Sequence, residues 1–282
     1  MDERDRVERD YWERRAEAWD QRVGMLERFT EDFGHAAMDT LGPVAGARVL
    51  DVGCGPGSTT LDLGTRVLPA GAVVGLDISP AMVAAGQRRA TSAGVDHVDF
   101  VVHDLQEGPL AEPFDVVFSR FGVMFFTRPE VAFSNLVRSL VPGGRFACVV
   151  WAPIDRNPWM SLPTMVGAGA LDAELMLPAP GAPGPFSLSD PAVLVGLLDG
   201  AGLVDVEVAE CTGRLEIPQA QAQAEIASML EIGPLGDAFA AADTATREAA
   251  IGAVLAAVET FRVGAGWELP GAALVVSATR PS

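Results

Sequence analysis

One stretch constrains the fold more than any other: Arg48-Val49-Leu50-Asp51-Val52-Gly53-Cys54-Gly55-Pro56-Gly57-Ser58-Thr59. An apolar run, Val49 to Val52, breaks into glycines at alternate positions, and Ser58-Thr59-Thr60 then opens a helix with Leu61 and Leu63 behind it. The pattern is a strand, a tight turn and a helix. Glycine lets the backbone turn sharply and approach a ligand with no Cβ in the way. The helix start offers unpaired N–H groups and a positive dipole end to something negative. Taken alone, the loop serves equally well as a structural turn.

The segments behind it decide the architecture. The helix runs to about Val67 and stops before Pro69-Ala70-Gly71, and Ala72 to Ile78 follows as a continuous apolar run carrying Asp77 near its end. Unbroken apolar strands belong to buried parallel sheets. Ser79-Pro80 starts the next helix, with serine as N-cap and proline in the first turn. In a doubly wound sheet, an acid at the end of the second strand accepts from ribose hydroxyls; a simple turn carboxylate is the alternative for Asp77. Val98 to Val102 forms a third strand leading into His103-Asp104-Leu105. Phe114 to Ser119 forms a fourth, entering Arg120-Phe121-Gly122-Val123-Met124-Phe125-Phe126. A helix from about Pro129 to Leu140 and a Pro142-Gly143-Gly144 turn lead to a fifth strand, Arg145 to Trp151. This alternation predicts a parallel α/β sheet.

The glycine loop, Asp77, Asp104, the Phe114-Asp115 strand and the Leu140-x-Pro142-Gly143-Gly144 turn stand in the order and spacing of the class I S-adenosylmethionine (SAM)-dependent methyltransferases, which this chain resembles over about residues 45–151. Ser119 to Phe126 and Arg156-Asn157-Pro158-Trp159 resemble the bacterial branch related to ubiquinone and menaquinone methyltransferases. The resemblance implies a Rossmann-like, seven-stranded, mostly parallel sheet with helices on both faces, and SAM as cofactor with S-adenosylhomocysteine (SAH) as product. It implies that Asp51, Gly53 and Gly55 hold the methionine portion, that Asp77 and Ile78 take the ribose side, and that Asp104 and the N–H of Leu105 take the adenine. Ser119 and Tyr11 join that set as expectations.

Residues 1–41 read as a helical lid. Tyr11, Trp12, Ala16, Trp19, Val23 and Leu26 recur every three or four residues, which marks one apolar face. That face either packs on the domain or covers a ligand, with the Tyr11 hydroxyl as its polar handle. Residues 42–151 are the expected SAM-binding core. Residues 152–202 are the expected substrate cap, rich in Pro and Gly up to about residue 190 and read there as a long loop. Residues 203–282 complete the same domain: a long strand or bent pair from Leu203 to Ile217, helices over 219–262, and a last strand, Gly271 to Ala278, which the family inserts antiparallel beside strand five.

For chemistry, Trp12, Arg120, Trp151, Trp159 and Phe186 are the expected acceptor pocket. The activated methyl of SAM asks chiefly for positioning, and a base is needed only for a neutral hydroxyl or a carbon acid. Of the three histidines, His97 precedes strand three at the end away from the ligand and His103 adjoins Asp104; His35 in the lid is either an ordinary helix-surface imidazole or a candidate base, Glu17 and Asp20 rank behind it, and no base is assigned. A net charge of −18 disfavours nucleic acid as a partner, and the segment after strand four lacks the Asn/Asp-Pro-Pro-Tyr of base-amino methyltransferases. Three scattered cysteines suggest neither a disulfide framework nor a metal site, and no apolar run is long enough for membrane insertion. Met1 to Arg6 lacks the apolar region of a secretory signal, so a cytoplasmic setting is expected. The expected reaction is methyl transfer to a small, specialised (natural-product) metabolite. The alternative is a methyltransferase-like enzyme that binds SAM and catalyses a cyclisation or rearrangement. Pairing into a homodimer stays open.

Overall fold

The computed structural model describes residues 3–175 and 182–282. The side chains of Val23 and Leu26, from the expected aromatic face, and Pro178 to Gly181 of the cap lie outside the described residues. The chain opens with α1 (Glu3–Thr40) and continues through β1 (Arg48–Val52), α2 (Ser58–Arg66), β2 (Ala72–Asp77), α3 (Pro80–Ala93), β3 (Val98–Val102), β4 (Phe114–Arg120), α4 (Pro129–Arg138) and β5 (Leu140–Trp151). Then come α5 (Pro158–Ala170), α6 (Pro191–Ala201), β6 (Val204–Pro218), α7 (Ala222–Ile232), α8 (Gly236–Ala241), α9 (Thr244–Ala257), β7 (Arg262–Val263) and β8 (Gly266–Thr279).

The strands lie in the order β3-β2-β1-β4-β5-β8-β6, and the two-residue β7 hangs off β8 as an eighth. Neighbours from β3 to β5 pair in parallel, while β8 runs antiparallel to both β5 and β6. The apolar composition of β1 explains its central place: Val49, Leu50 and Val52 are at most 1% exposed, so both faces of the strand are covered. The chain reverses direction across the sheet between β1 and β4. In such sheets ligands bind outside the carboxyl ends of the strands at that switch point.

Local chemistry sets the helix starts. The Ser79 side chain accepts from the Met82 N–H at 3.2 Å and Pro80 occupies the first turn of α3. The C-terminal half of α1 buries Phe29, Phe33, Ala37 and Met38 and packs across β5, β8 and β6, whereas its N-terminal half passes over the strand ends toward α3.

One expectation is corrected. Residues 152–190 are not one long loop, because α5 fills 13 of them. Pro158 sits at its start, where no intrahelical N–H is lost, and small residues let it pack closely. A Cβ on Gly167 would stand 2.5 Å from Leu230 of α7. The interior Pro163 and the glycines disguise this helix in the sequence.

Candidate active site

The glycine loop is stitched to the end of β2. The Leu76 carbonyl accepts from the N–H groups of Gly53 and Cys54 at 2.8 and 3.0 Å. The Asp77 carboxylate accepts from Gly55 N–H through one oxygen and Ser79 N–H through the other, both at 2.9 Å. A carboxylate offers about four acceptor sites, so Asp77 retains capacity for a vicinal diol. Burial raises its carboxyl above the ordinary range, against the pull of those backbone bonds, and Glu13 nearby adds to the rise.

Asp51 lies beneath the loop, 1% exposed. One of its oxygens accepts from the Thr60 hydroxyl at 2.7 Å, and the other, Oδ1, is buried with no partner. Burial pushes its carboxyl up to about 7, with Thr60 and then Arg120 opposing and Asp77 and Glu27 reinforcing. Gly53 has φ +67, and a Cβ there would stand 2.8 Å from the Cα of Gly122. Gly122 is equally cramped, 2.6 Å from the Val52 carbonyl oxygen by the same measure. The loop after β4 and the glycine loop therefore touch backbone to backbone.

Asp104, also buried, accepts from the backbone and side-chain N–H groups of Gln106 at 2.9 and 3.2 Å. Leu105 behind it is wholly buried, and its carbonyl accepts from Asn135 at 2.7 Å. A buried acid with an orphaned oxygen, a cradle without side chains, two further acids at adjoining strand ends and a helix start thus converge on one edge of the sheet. They fit a ligand carrying a cation, a sugar diol and a base. Among the described residues, no group of three or more His, Cys, Asp or Glu could hold a metal.

Residues 49–144 match the family described as methyltransferase domain. Aklanonic acid methyltransferase DauC from Streptomyces sp. strain C5 is 32% identical over 136 residues, covering 46% of this chain and 62% of that protein. The ubiquinone/menaquinone biosynthesis C-methyltransferase UbiE of Roseobacter denitrificans is 36% identical over 127 residues, covering 44% of this chain and 50% of that one. Residues 49–144 thus carry a methyltransferase domain, the stretch that holds the glycine loop and the three strand-end acids. The matches span about half to three-fifths of these curated relatives. Among solved structures, the (4+2)-cyclase SpnF shares the fold with a TM-score of 0.55 at 18% identity, over 94% of this chain and 95% of that one.

Around this domain the sequence-derived residues divide into three groups. Asp51, Gly53, Gly55, Asp77, Ile78, Asp104 and Leu105 cluster along the carboxyl ends of β1, β2 and β3. His35 and Arg120 meet in a second place, a 250 Å³ cavity between α1 and α2 also lined by Glu27, Ser58, Thr59 and Asp62. There Arg120 holds Glu27 through two bonds of 2.9 and 2.5 Å, and His35 Nε2 lies 2.8 Å from Asp62.

The third group departs from expectation. The buried Ser119 hydroxyl donates to the Val52 carbonyl at 2.8 Å, so it ties β4 to β1. Tyr11 lies under the Arg15 guanidinium at 4.0 Å, with Asp237 of α8 acting on the same phenol, which aims it at the C-terminal helices. Trp151 and Trp159 are buried in a closed aromatic cluster with Phe29, Phe33 and Phe121. Trp12 packs on Phe125 instead, at 4.8 Å. Phe186 belongs to a turn tied to the Met124 carbonyl through Gly184 and Ser187. The five expected acceptor-pocket residues do not form one pocket.

Sequence reading missed Thr60, Asp62, Glu27 and Gly122, all of which build the site. Only Gly122 had a visible signal, a glycine after a strand that ends at the switch point. A larger hollow of 340 Å³ lies at the β6–β8 edge, where Arg156 and Arg214 are already paired with Glu210 and Glu268 at 2.6 Å.

Proposed function

We propose that this chain transfers the methyl group of SAM to a small natural-product acceptor. The observation that carries the reading is the Asp51-Gly53-Gly55-Asp77-Asp104 constellation, above all the orphaned, buried oxygen of Asp51. Gly53, Gly55 and the first turn of α2 would hold the methionine end, Asp77 the ribose and Asp104 the adenine. When bound, SAM supplies a methyl already activated by its sulfonium. The protein's part is to orient the acceptor and exclude water, worth roughly 7–11 kcal/mol.

His35 is the base in this reading. The Asp62 carboxylate accepts from Nε2–H, which leaves Nδ1 to take a proton inside the cavity shared with Arg120. The similarity to DauC, named for aklanonic acid, supports an acceptor that bears a carboxyl group. The three cysteines are unpaired, with Cys54 and Cys148 buried, which suits a reducing cytoplasm. No described helix is long and apolar enough to cross a membrane.

The test is calorimetric titration with SAM and SAH after stripping bound ligand, followed by detection of SAH with phenolic and carboxylic polyketide acceptors. Failure of both ligands to bind would remove the cofactor reading. Product formed while SAM stays intact would favour the cyclase alternative. With an acceptor in hand, His35→Ala lowers kcat by about 10²–10⁴ while SAH affinity holds. An unchanged kcat would dismiss the base.

A further inference from the structure

On this cofactor reading, SAM must enter a bed that α1 lies across, and the two halves of α1 are held differently. The C-terminal half is anchored by buried apolar side chains from Phe29 to Met38. In the described part of the N-terminal half, Ala16 is the buried apolar side chain, and Val7 is 62% exposed. Besides the Trp12 ring packed on Phe125, carboxylates hold that half. Asp5, Glu13, Asp20 and Glu27 are spaced eight, seven and seven residues apart, which puts them within an arc of about 80° along roughly 33 Å of helix.

Each carboxylate meets a different part of the site. Asp5, its side chain wholly buried, pairs with Arg128 at 2.8 Å and accepts from the Thr127 hydroxyl. Gln106 links these to Asp104: its side-chain oxygen accepts from Arg128 N–H and lies 2.8 Å from the Thr127 hydroxyl oxygen, while its amide donates to Asp104. Glu13 accepts from the Ser79 hydroxyl at 2.5 Å and from Ala81 N–H at 3.2 Å, beside Asp77. Asp20 pairs with Arg89, which also donates to the Pro56 carbonyl of the glycine loop at 2.8 Å. Glu27 grips Arg120. The four contacts reach the adenine end, the ribose end, the glycine loop and the acceptor cavity in turn.

We infer that α1 is an ionic latch: its acidic stripe holds the N-terminal half shut over the cofactor bed, and cofactor exchange requires that half to swing away while the aromatic anchor stays. The Asp20–Arg89 and Glu27–Arg120 pairs are partly exposed, and such pairs are individually weak and screened by salt, which suits contacts that break in every cycle.

The test combines hydrogen exchange of the ligand-free protein with stopped-flow binding of SAH, read through Trp12 and Trp19 on α1. SAH lacks the sulfonium and is electrically neutral overall, so salt acts on the latch rather than on attraction of the ligand. Raising salt from about 0.05 to 0.5 M shortens the Debye length from roughly 14 to 4 Å. It is expected to speed amide exchange over residues 3–17 and leave residues 29–40 unchanged. The SAH association rate is expected to level off at a limiting value that rises with salt. Asp20→Asn and Glu13→Ala each raise that value about two- to fivefold. Exchange insensitive to salt and to both variants would overturn the latch whatever SAH does. A salt-independent rate that stays linear in SAH would overturn its control of entry. Exchange that responds, with SAH binding neither wild type nor variant, would keep the latch and remove the cofactor reading.

Discussion

At Asp51 the surroundings set a carboxyl against its own charge. Its folded-state pKa, pushed up to about 7 by burial, exceeds the unfolded value near 4, so the folded state binds the proton more tightly. The stability this contributes is complete below about pH 4 and is lost as pH rises through 7. Between pH 5 and 8, the ligand-free protein should lose roughly 2–3 kcal/mol that Asp51→Asn does not lose, measurable by urea titration at both pH values. A cationic ligand beside Asp51 favours the ionised form, so SAM binding at pH 6.5 should release a proton, which calorimetry in buffers of different ionisation heat would detect. At Gly122 the effect is steric. Gly122→Ala drives a methyl against the Val52 carbonyl and the Gly53 backbone, costing about 1–3 kcal/mol and weakening SAH binding. An unshifted melting curve and SAH affinity would disprove the backbone contact. Asp51, Asp77 and Asp104 were legible in the sequence because each ends a strand whose pattern is local. Asp62 and Glu13 were not, since their partners lie 27 and 66 residues away and nothing near them in the chain marks the pairing.

Among the elements, the five parallel strands and α1 were readable because their apolar periods are unbroken. The helix α5 was not, because its stabilisation comes from close packing on α7 and α9 and its own residues argue against helix. The expected acceptor pocket failed for a related reason. Buried aromatic rings and ligand-facing ones look alike in a sequence, and here Phe29, Phe33, Phe121, Trp151 and Trp159 close on one another. Phe121 adopts φ +60 and stacks on Trp151 at 3.9 Å. A bulky residue in the left-handed region is strained, and the stack is what holds it. Trp151→Ala should therefore cost about 3–5 kcal/mol and loosen the C-terminal half of α1 in hydrogen exchange. A change in acceptor turnover without loss of stability would instead return Trp151 to the pocket.

Over the whole molecule, the net charge of −18 favours a cationic ligand over a neutral one of the same shape. The ratio of SAM to SAH association rates should fall as salt rises, and a constant ratio in stopped-flow would show that the field does not reach the bed. The antiparallel pair β6 and β8 stays in register from Glu207↔Ser277 out to Pro218↔Gly266. Everything between, α7, α8 and α9 included, is one excursion whose two ends are neighbours. The sheet fixes where the excursion leaves and returns but not what it contains, and lengthening it adds little closure entropy. The glycine loop and its acids lie at the far side of β5. Selection can thus revise the excursion like a detachable head on a fixed handle: grafting 219–265 from a relative should leave both the β6–β8 register and SAH affinity where they were.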